Sequence, residues 1–264
     1  MTLLEDQRPR LERIAQSAQA IGTHLSGILA AQPRPIHFRP AANGITLVGL
    51  TLDCPQRGHS RYSAERLRTQ YLEEFEQHCT KVPGRNTPEK RLQSFLIRDA
   101  YQHDRQMAAL RSVAGDDPTA DLRFITDELA LYASNGEKLV CDLLAFRRSA
   151  ADSSAIIPVL IELKSARDMT CLVAQLTRFA REIGRYREEI AKIAGGLLGE
   201  KVSFTYEPEL WLVWKAAGSR LDTDPREAEL SAQGIRVVQY VLNGDGIDDG
   251  YCFHVGPRPA EINP

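Results

Sequence analysis

One short segment, Ile157-Pro158-Val159-Leu160-Ile161-Glu162-Leu163-Lys164, limits the folds open to this chain more than any other. Read as a strand, it points Val159, Ile161 and Leu163 to one side and Glu162 and Lys164 to the other. The run is apolar enough to be buried in a sheet. Two charged side chains about 7 Å apart along one face of such a strand, from its rise per residue, are costly to bury without a partner or a task.

The flanking sequence supplies the rest of an α/β order. Thr87 as N-cap and Pro88 at the first helical position open a helix expected to run to about Ser112, with Leu92, Phe95, Leu96, Ala100 and Leu110 as its apolar stripe. Two strands are expected over 123–133 and 138–147, joined at Asn135-Gly136, before the third over 157–165. Leu172, Leu176, Phe179, Ile183, Tyr186, Ile190 and Ile193 then recur at steps of four and three, which predicts one helix over 169–194. A strand over 209–215 with Trp211 and Trp214 as core aromatics, a short helix over 225–232, and strands over 235–242 and 251–255 complete the series. The order is helix, three strands, helix, strand, then helix and strand.

Residues 1–80 read as an α+β region of their own. A helix over 3–29 precedes two extended runs, 36–38 and 45–52, with Asn43-Gly44 as the turn between them, and Ser63 can cap a second helix. The segment KVPGRNTP, residues 81–88, is the expected boundary with a second domain over 81–264.

Composition excludes several classes. The 264 residues carry 33 Lys+Arg against 35 Asp+Glu, a formal charge of −2 that cannot coat nucleic acid or anionic membrane by bulk attraction. No apolar run approaches the roughly 20 residues of a membrane span, and the opening MTLLEDQRPRLER mixes charges throughout, so a cytoplasmic protein without a membrane partner is expected. Five scattered cysteines, Cys54, Cys79, Cys141, Cys171 and Cys252, with no CxxC pair, suit neither a disulfide framework nor a zinc knuckle.

The strand before Glu162 holds a second charged residue in apolar surroundings, Asp142 in LVCDLL. If Asp142 lies beside Glu162, two carboxylates about 4 Å apart repel by about 4 kcal/mol at an effective dielectric of 20. Lys164 offsets part of that, and a divalent cation with oxygen ligands offsets it fully. Mg²⁺, with Mn²⁺ as the alternative, favours sites of one or two carboxylates completed by water and substrate phosphate. Lys164 would then position or help deprotonate the attacking water.

Asp142 followed by Glu162-Leu163-Lys164, on consecutive strands between two helices, resembles the PD-(D/E)xK, restriction-endonuclease-like, nuclease superfamily over about residues 87–215. Lys164 is the only lysine of the chain with an acidic residue two positions before it. Cys141 stands where the family pattern has proline. The resemblance implies a restriction-endonuclease-like core, a metal-dependent nuclease acting on DNA or RNA, metal binding by Asp142 and Glu162, and catalysis by these two with Lys164. It also implies a supporting, metal-side role for Glu89 in the first turn of the preceding helix, for which a solvent-facing glutamate at a helix N-terminus is the other reading. Gln175 matches the glutamine of a Gln-x-x-x-Tyr element, although Phe179 replaces the tyrosine.

Arg178, Arg181 and Arg185 line one side of the later helix, with Arg167 just before it. They suit phosphate binding, or a solvated face paired with Glu182, Glu188 and Glu189. If Asn135-Gly136 is a two-residue turn, Leu129 lies opposite Asp142, Asp127 shares its face as an accessory acid, and Glu128 points away; one extra residue reverses the last two. A homodimer would bring two sites to the two strands of a duplex. Two other readings stay open: an inactive nuclease-fold binding or assembly module, and an unrelated α/β domain in which Asp142 and Glu162 lie far apart.

Overall fold

The computed structural model describes residues 6–31, 36–50, 55–78, 87–113, 121–148, 156–165, 171–216, 225–242 and 250–255. Helices α1 (Arg8–His24) and α2 (Ser26–Ala31) precede a small antiparallel sheet of β1 (Ile36–Ala41), β2 (Gly44–Leu50) and β3 (Pro55–Tyr62), followed by α3 (Ala64–His78). Then come α4 (Pro88–Gln102), a 3₁₀ helix (Ala108–Val113), β4 (Leu122–Tyr132), β5 (Lys138–Arg148) and β6 (Ile156–Lys164). The chain continues through α5 (Leu172–Arg185), α6 (Arg187–Leu198), β7 (Glu209–Lys215), α7 (Pro225–Ala232), β8 (Ile235–Leu242) and β9 (Tyr251–Val255). Strands β4 to β9 form one mixed sheet in sequence order, in which β6, β7 and β8 run parallel and the other neighbours antiparallel. No helix of the described residues is long and apolar enough to cross a membrane.

Local chemistry places most of these elements. Thr87 Oγ1 accepts from the Lys90 amide at 3.4 Å and Ser63 Oγ from the Arg66 amide at 3.3 Å, so both expected caps start their helices. Helix α4 ends ten residues short of the expected Ser112 because Asp104 and Arg105 take left-handed φ angles of 50° and 65°; Leu110 reaches the core from the 3₁₀ helix instead. The seven-residue stripe from Leu172 to Ile193 is buried throughout, yet its helix breaks at Tyr186 (φ −111°, ψ 32°) into α5 and α6. Strand β3, PQRGHSRY, lacks apolar alternation and was not expected from the sequence; it pairs antiparallel with β2.

Both faces of the large sheet are covered, as its central strand requires. Val159, Ile161 and Leu163 pack with Leu92 and Leu96 of α4 on one face. Leu160 joins Phe179 and Ile183 of α5 on the other, where Leu212 and Trp214 meet Leu176 and Leu230. Along β5 the alternation slips by one residue: Leu139, Cys141, Leu144 and Phe146 lie in one core while Leu143 and Ala145 lie in the opposite one. The slip falls at Asp142.

Most of the 81–88 boundary lies outside the described residues, and the chain before it and after it contributes to one core. Leu11, Ile14, Ala18 and Ile21 of α1 pack with Ile190, Ile193 and Leu197 of α6. The two helices touch at glycines: a Cβ on Gly196 would stand 2.7 Å from the Gln19 nitrogen. A second tie is polar. Asp127 of β4, 1 % exposed, accepts from Arg39 Nε at 2.7 Å and meets His37 Nε2 at 2.9 Å, while His37 Nδ1 meets the Tyr101 hydroxyl at 2.6 Å. Burial works against the Asp127 charge, but Arg39 and His37 outweigh it and hold the carboxyl far below the usual range; burial pulls His37 down against the opposing charge of Asp127.

Gly196→Ala will lower stability by about 1–3 kcal/mol through overpacking, read as a lower urea midpoint; a midpoint equal to the parent's would mean that α1 and α6 separate without cost. Because the folded-state pKa values of Asp127 and His37 both lie below their unfolded values of about 3.9 and 6.5, their stabilisation is lost as pH falls through those windows. Asp127→Asn should cost about 3–5 kcal/mol near neutral pH and flatten the loss of stability below about pH 4, and an unchanged acid slope would count against this assignment.

Candidate active site

Strands β5 and β6 pair with Leu143 opposite Ile161, and continuing that ladder by one residue brings Asp142 to Glu162. The Leu163 amide donates to Asp142 Oδ2 at 2.9 Å, which fixes the aspartate against β6. Glu162, 4 % exposed, accepts from Lys164 Nζ at 2.7 Å. Burial and then the charge of Asp142 push the Glu162 carboxyl up to about 7 against the pull of Lys164. Burial likewise raises Asp142, against the Leu163 amide, Lys90 and Lys164. For Lys164 burial is the opposing influence, outweighed by Glu162, Asp142 and Glu89, which hold it above its ordinary value. The two carboxylates are thus neighbours, and the reading in which they lie far apart does not describe this fold.

The hairpin before Asp142 corrects one expectation. The Gly136 amide donates to the Ala133 carbonyl and the Ala133 amide to the Glu137 carbonyl, both at 2.9 Å, closing a three-residue loop with Gly136 at φ 84°. The register is one residue off a two-residue turn, so Leu129 faces Cys141 and Asp127 faces Leu143. Asp127 is consequently drawn into the buried cluster with His37 and Arg39, and Glu128, itself at φ 47°, takes the place toward the site. Glu128 pairs with Lys90, whose Nζ stands 4.0 Å from Asp142 Oδ1 and donates to Gln93 Oε1 at 2.8 Å. Gln93, fully buried, donates to the Asp142 carbonyl at 3.0 Å.

Other expected residues stand around this group. Glu89 Oε1 accepts from the Ser165 amide at 2.9 Å and from its hydroxyl, so Glu89 fixes the end of β6 just past Lys164. Burial opposes the charge of Glu89, and these hydrogen bonds with those of its own turn keep its carboxyl below the usual range. Gln175 Nε2 donates to the Val140 carbonyl at 3.2 Å, bracing β5 two residues before Asp142. The arginine stripe is divided: Arg178 pairs with Glu137 of the hairpin, Arg185 lies 3.9 Å from Glu182 and over the Tyr186 ring, and Arg181 is exposed. Arg167 lies outside the described residues. Glu128 is the alternative that one extra hairpin residue was expected to bring in, whereas Lys90 and Gln93 were not singled out in sequence; the available signal was their placement one turn apart beside Glu89 in a capped first turn.

Among the described residues no three His, Cys, Asp or Glu side chains form a metal-binding group. The donor set is the carboxylate pair, and burial pushes the nearby Cys141 thiol up, out of reach of a thiolate. Compared with family models, curated proteins and solved structures, the chain matches none. Asp142→Asn keeps an acceptor for the Leu163 amide and removes one of two repelling charges, so in EDTA it should raise stability by about 1 kcal/mol, as active-site neutralisation commonly does. A denaturation midpoint at or below the parent's would show that the pair is not under charge strain.

Proposed function

We propose that this chain is a metal-dependent nuclease with a restriction-endonuclease-like core, hydrolysing phosphodiester bonds, with DNA as the expected polymer. The observation that carries the reading is Asp142 beside Glu162 at adjoining strands with Lys164 bonded to Glu162. The order of α4, the antiparallel β4–β5–β6, α5 and the parallel β7 supports it.

Two carboxylates with no nitrogen or sulfur donor suit Mg²⁺ or Mn²⁺, which fill the rest of their shell with water and phosphate oxygens. Such an ion, when bound, supplies neutralisation of phosphate charge and a more acidic water. Asp142 and Glu162 hold it, with Asp142 oriented by the Leu163 amide. Lys164 leaves its bond to Glu162 and turns its ammonium to the attacking water. Gln175 and Gln93 keep the β5 backbone in place from opposite helices, and Glu89 does the same for the end of β6.

A second reading has its own observation. The Glu162–Lys164 pair at 2.7 Å is also what an inactive binding or assembly module would retain as an internal ion pair. Purified protein incubated with plasmid and single-stranded DNA should cut with Mg²⁺ or Mn²⁺ and not with EDTA, and Lys164→Ala should slow cutting by about 10²–10⁴-fold. Cleavage by Lys164→Ala at the parent rate rejects the role given to the lysine; no cleavage by the parent, with no heat of Mg²⁺ binding in calorimetry, favours the inactive module.

A further inference from the structure

A groove of about 750 Å³ opens between the N-terminal elements and the β4–β5 hairpin, with Arg10, Arg39, Arg61, Lys138, Glu128 and Tyr132 in its walls. Its charges do not cancel. Asp127, at its floor, is taken by Arg39 and His37, and Glu128 by Lys90 with Arg39 at 3.6 Å. Arg10, Arg61 and Lys138 have no acidic partner among the described residues. Arg10 donates to the Ala130 carbonyl at 2.8 Å and lies 5.3 Å over the Tyr132 ring; Arg61 donates to the neutral Asn43 side chain. Burial lowers the pKa of Arg10, so this guanidinium is partly desolvated without an anion to compensate it.

The groove is also placed next to the carboxylates. Glu128, in its wall, shares Lys90 with Asp142, and Lys138 precedes Asp142 by four residues of β5, about 13 Å along a strand. Both tryptophans are buried and Tyr132 is covered by Arg10, so the groove offers cations and no free aromatic platform. Such a lining holds the sugar-phosphate backbone and reads no bases.

We infer that this groove is the path of a nucleic acid backbone toward Asp142 and Glu162, with Arg10, Arg61 and Lys138 contacting phosphates; the inference rests on the nuclease reading. It gives the N-terminal elements a task, presenting Arg10 and Arg61 opposite Lys138. Binding is then independent of sequence and falls steeply with salt, because each phosphate contact releases condensed counterions.

The test is fluorescence anisotropy of the full chain with short labelled DNA and RNA strands and a duplex, in EDTA so that no strand is cut. Arg61→Gln and Lys138→Gln should each weaken binding and lower the slope of log affinity against log salt by about 1, while Arg61→Lys and Lys138→Arg keep the parent slope. Both positions are exposed, so thermal unfolding should not move. Parent-like affinity and slope in the double Gln variant, or no binding of any strand by the parent, overturns the groove assignment. The two readings fail separately: a parent that binds through these residues but never cuts with Mg²⁺ keeps the groove and loses the nuclease, whereas a double variant that binds and cuts as the parent does the reverse.

Discussion

Leaving Asp127 buried and unpaired would cost several kcal/mol, and the residues that prevent it come from a different sheet. Arg39 and His37 belong to β1, whereas Asp127 belongs to β4, so these two bonds form when the small sheet is seated against the large one. Gln93 continues the same network, 3.4 Å from Asp127 Oδ2 and 3.0 Å from the Asp142 carbonyl. One buried carboxylate therefore sets the approach of two sheets, the seat of α4, and the backbone on which the candidate active site is mounted.

At that site the local energetics run the other way. Asp142 and Glu162 stand together with their charges only partly offset by Lys164 and Lys90, and the backbone around them is irregular. Glu128 is left-handed, and the face alternation of β5 slips at Asp142. Arrangements of this kind persist where surrounding structure over-determines them. Here the surroundings are strand β6, buried along all but its last residue, helix α4 with its Thr87 cap, and the bracing glutamines. Stability is concentrated in the neighbours and withheld from the site.

Much of this was legible in the residues. The α4 cap, the three strands, the stripe of α5 and α6, and every element from β7 onward follow from patterns of two, three and four residues. The pairing of Asp142 with Glu162 was an expectation conditional on adjacent strands, and the β5–β6 register is what meets it. What was not legible depended on single-residue geometry. Asn135-Gly136 is compatible with a loop of two residues or three, and only the left-handed Gly136 amide bonded to Ala133 decides it, exchanging the roles of Asp127 and Glu128. The break at Tyr186 leaves no mark on an apolar stripe that stays in phase through it. Lys90 and Gln93 look like ordinary surface residues of a first turn until the strands behind them are in place.

The glycine contact between α1 and α6 bears on how this chain can change over time. With Gly22 and Gly196 allowing backbone to touch backbone, the first helix is cemented to one far along the chain, Arg187–Leu198. The leading segment is therefore no exchangeable cassette. Replacing it wholesale would uncover Ile190, Ile193 and Leu197 of α6 together with Leu144 and Leu160 of the large sheet, which share its core, so this part of the chain can change only residue by residue, in place.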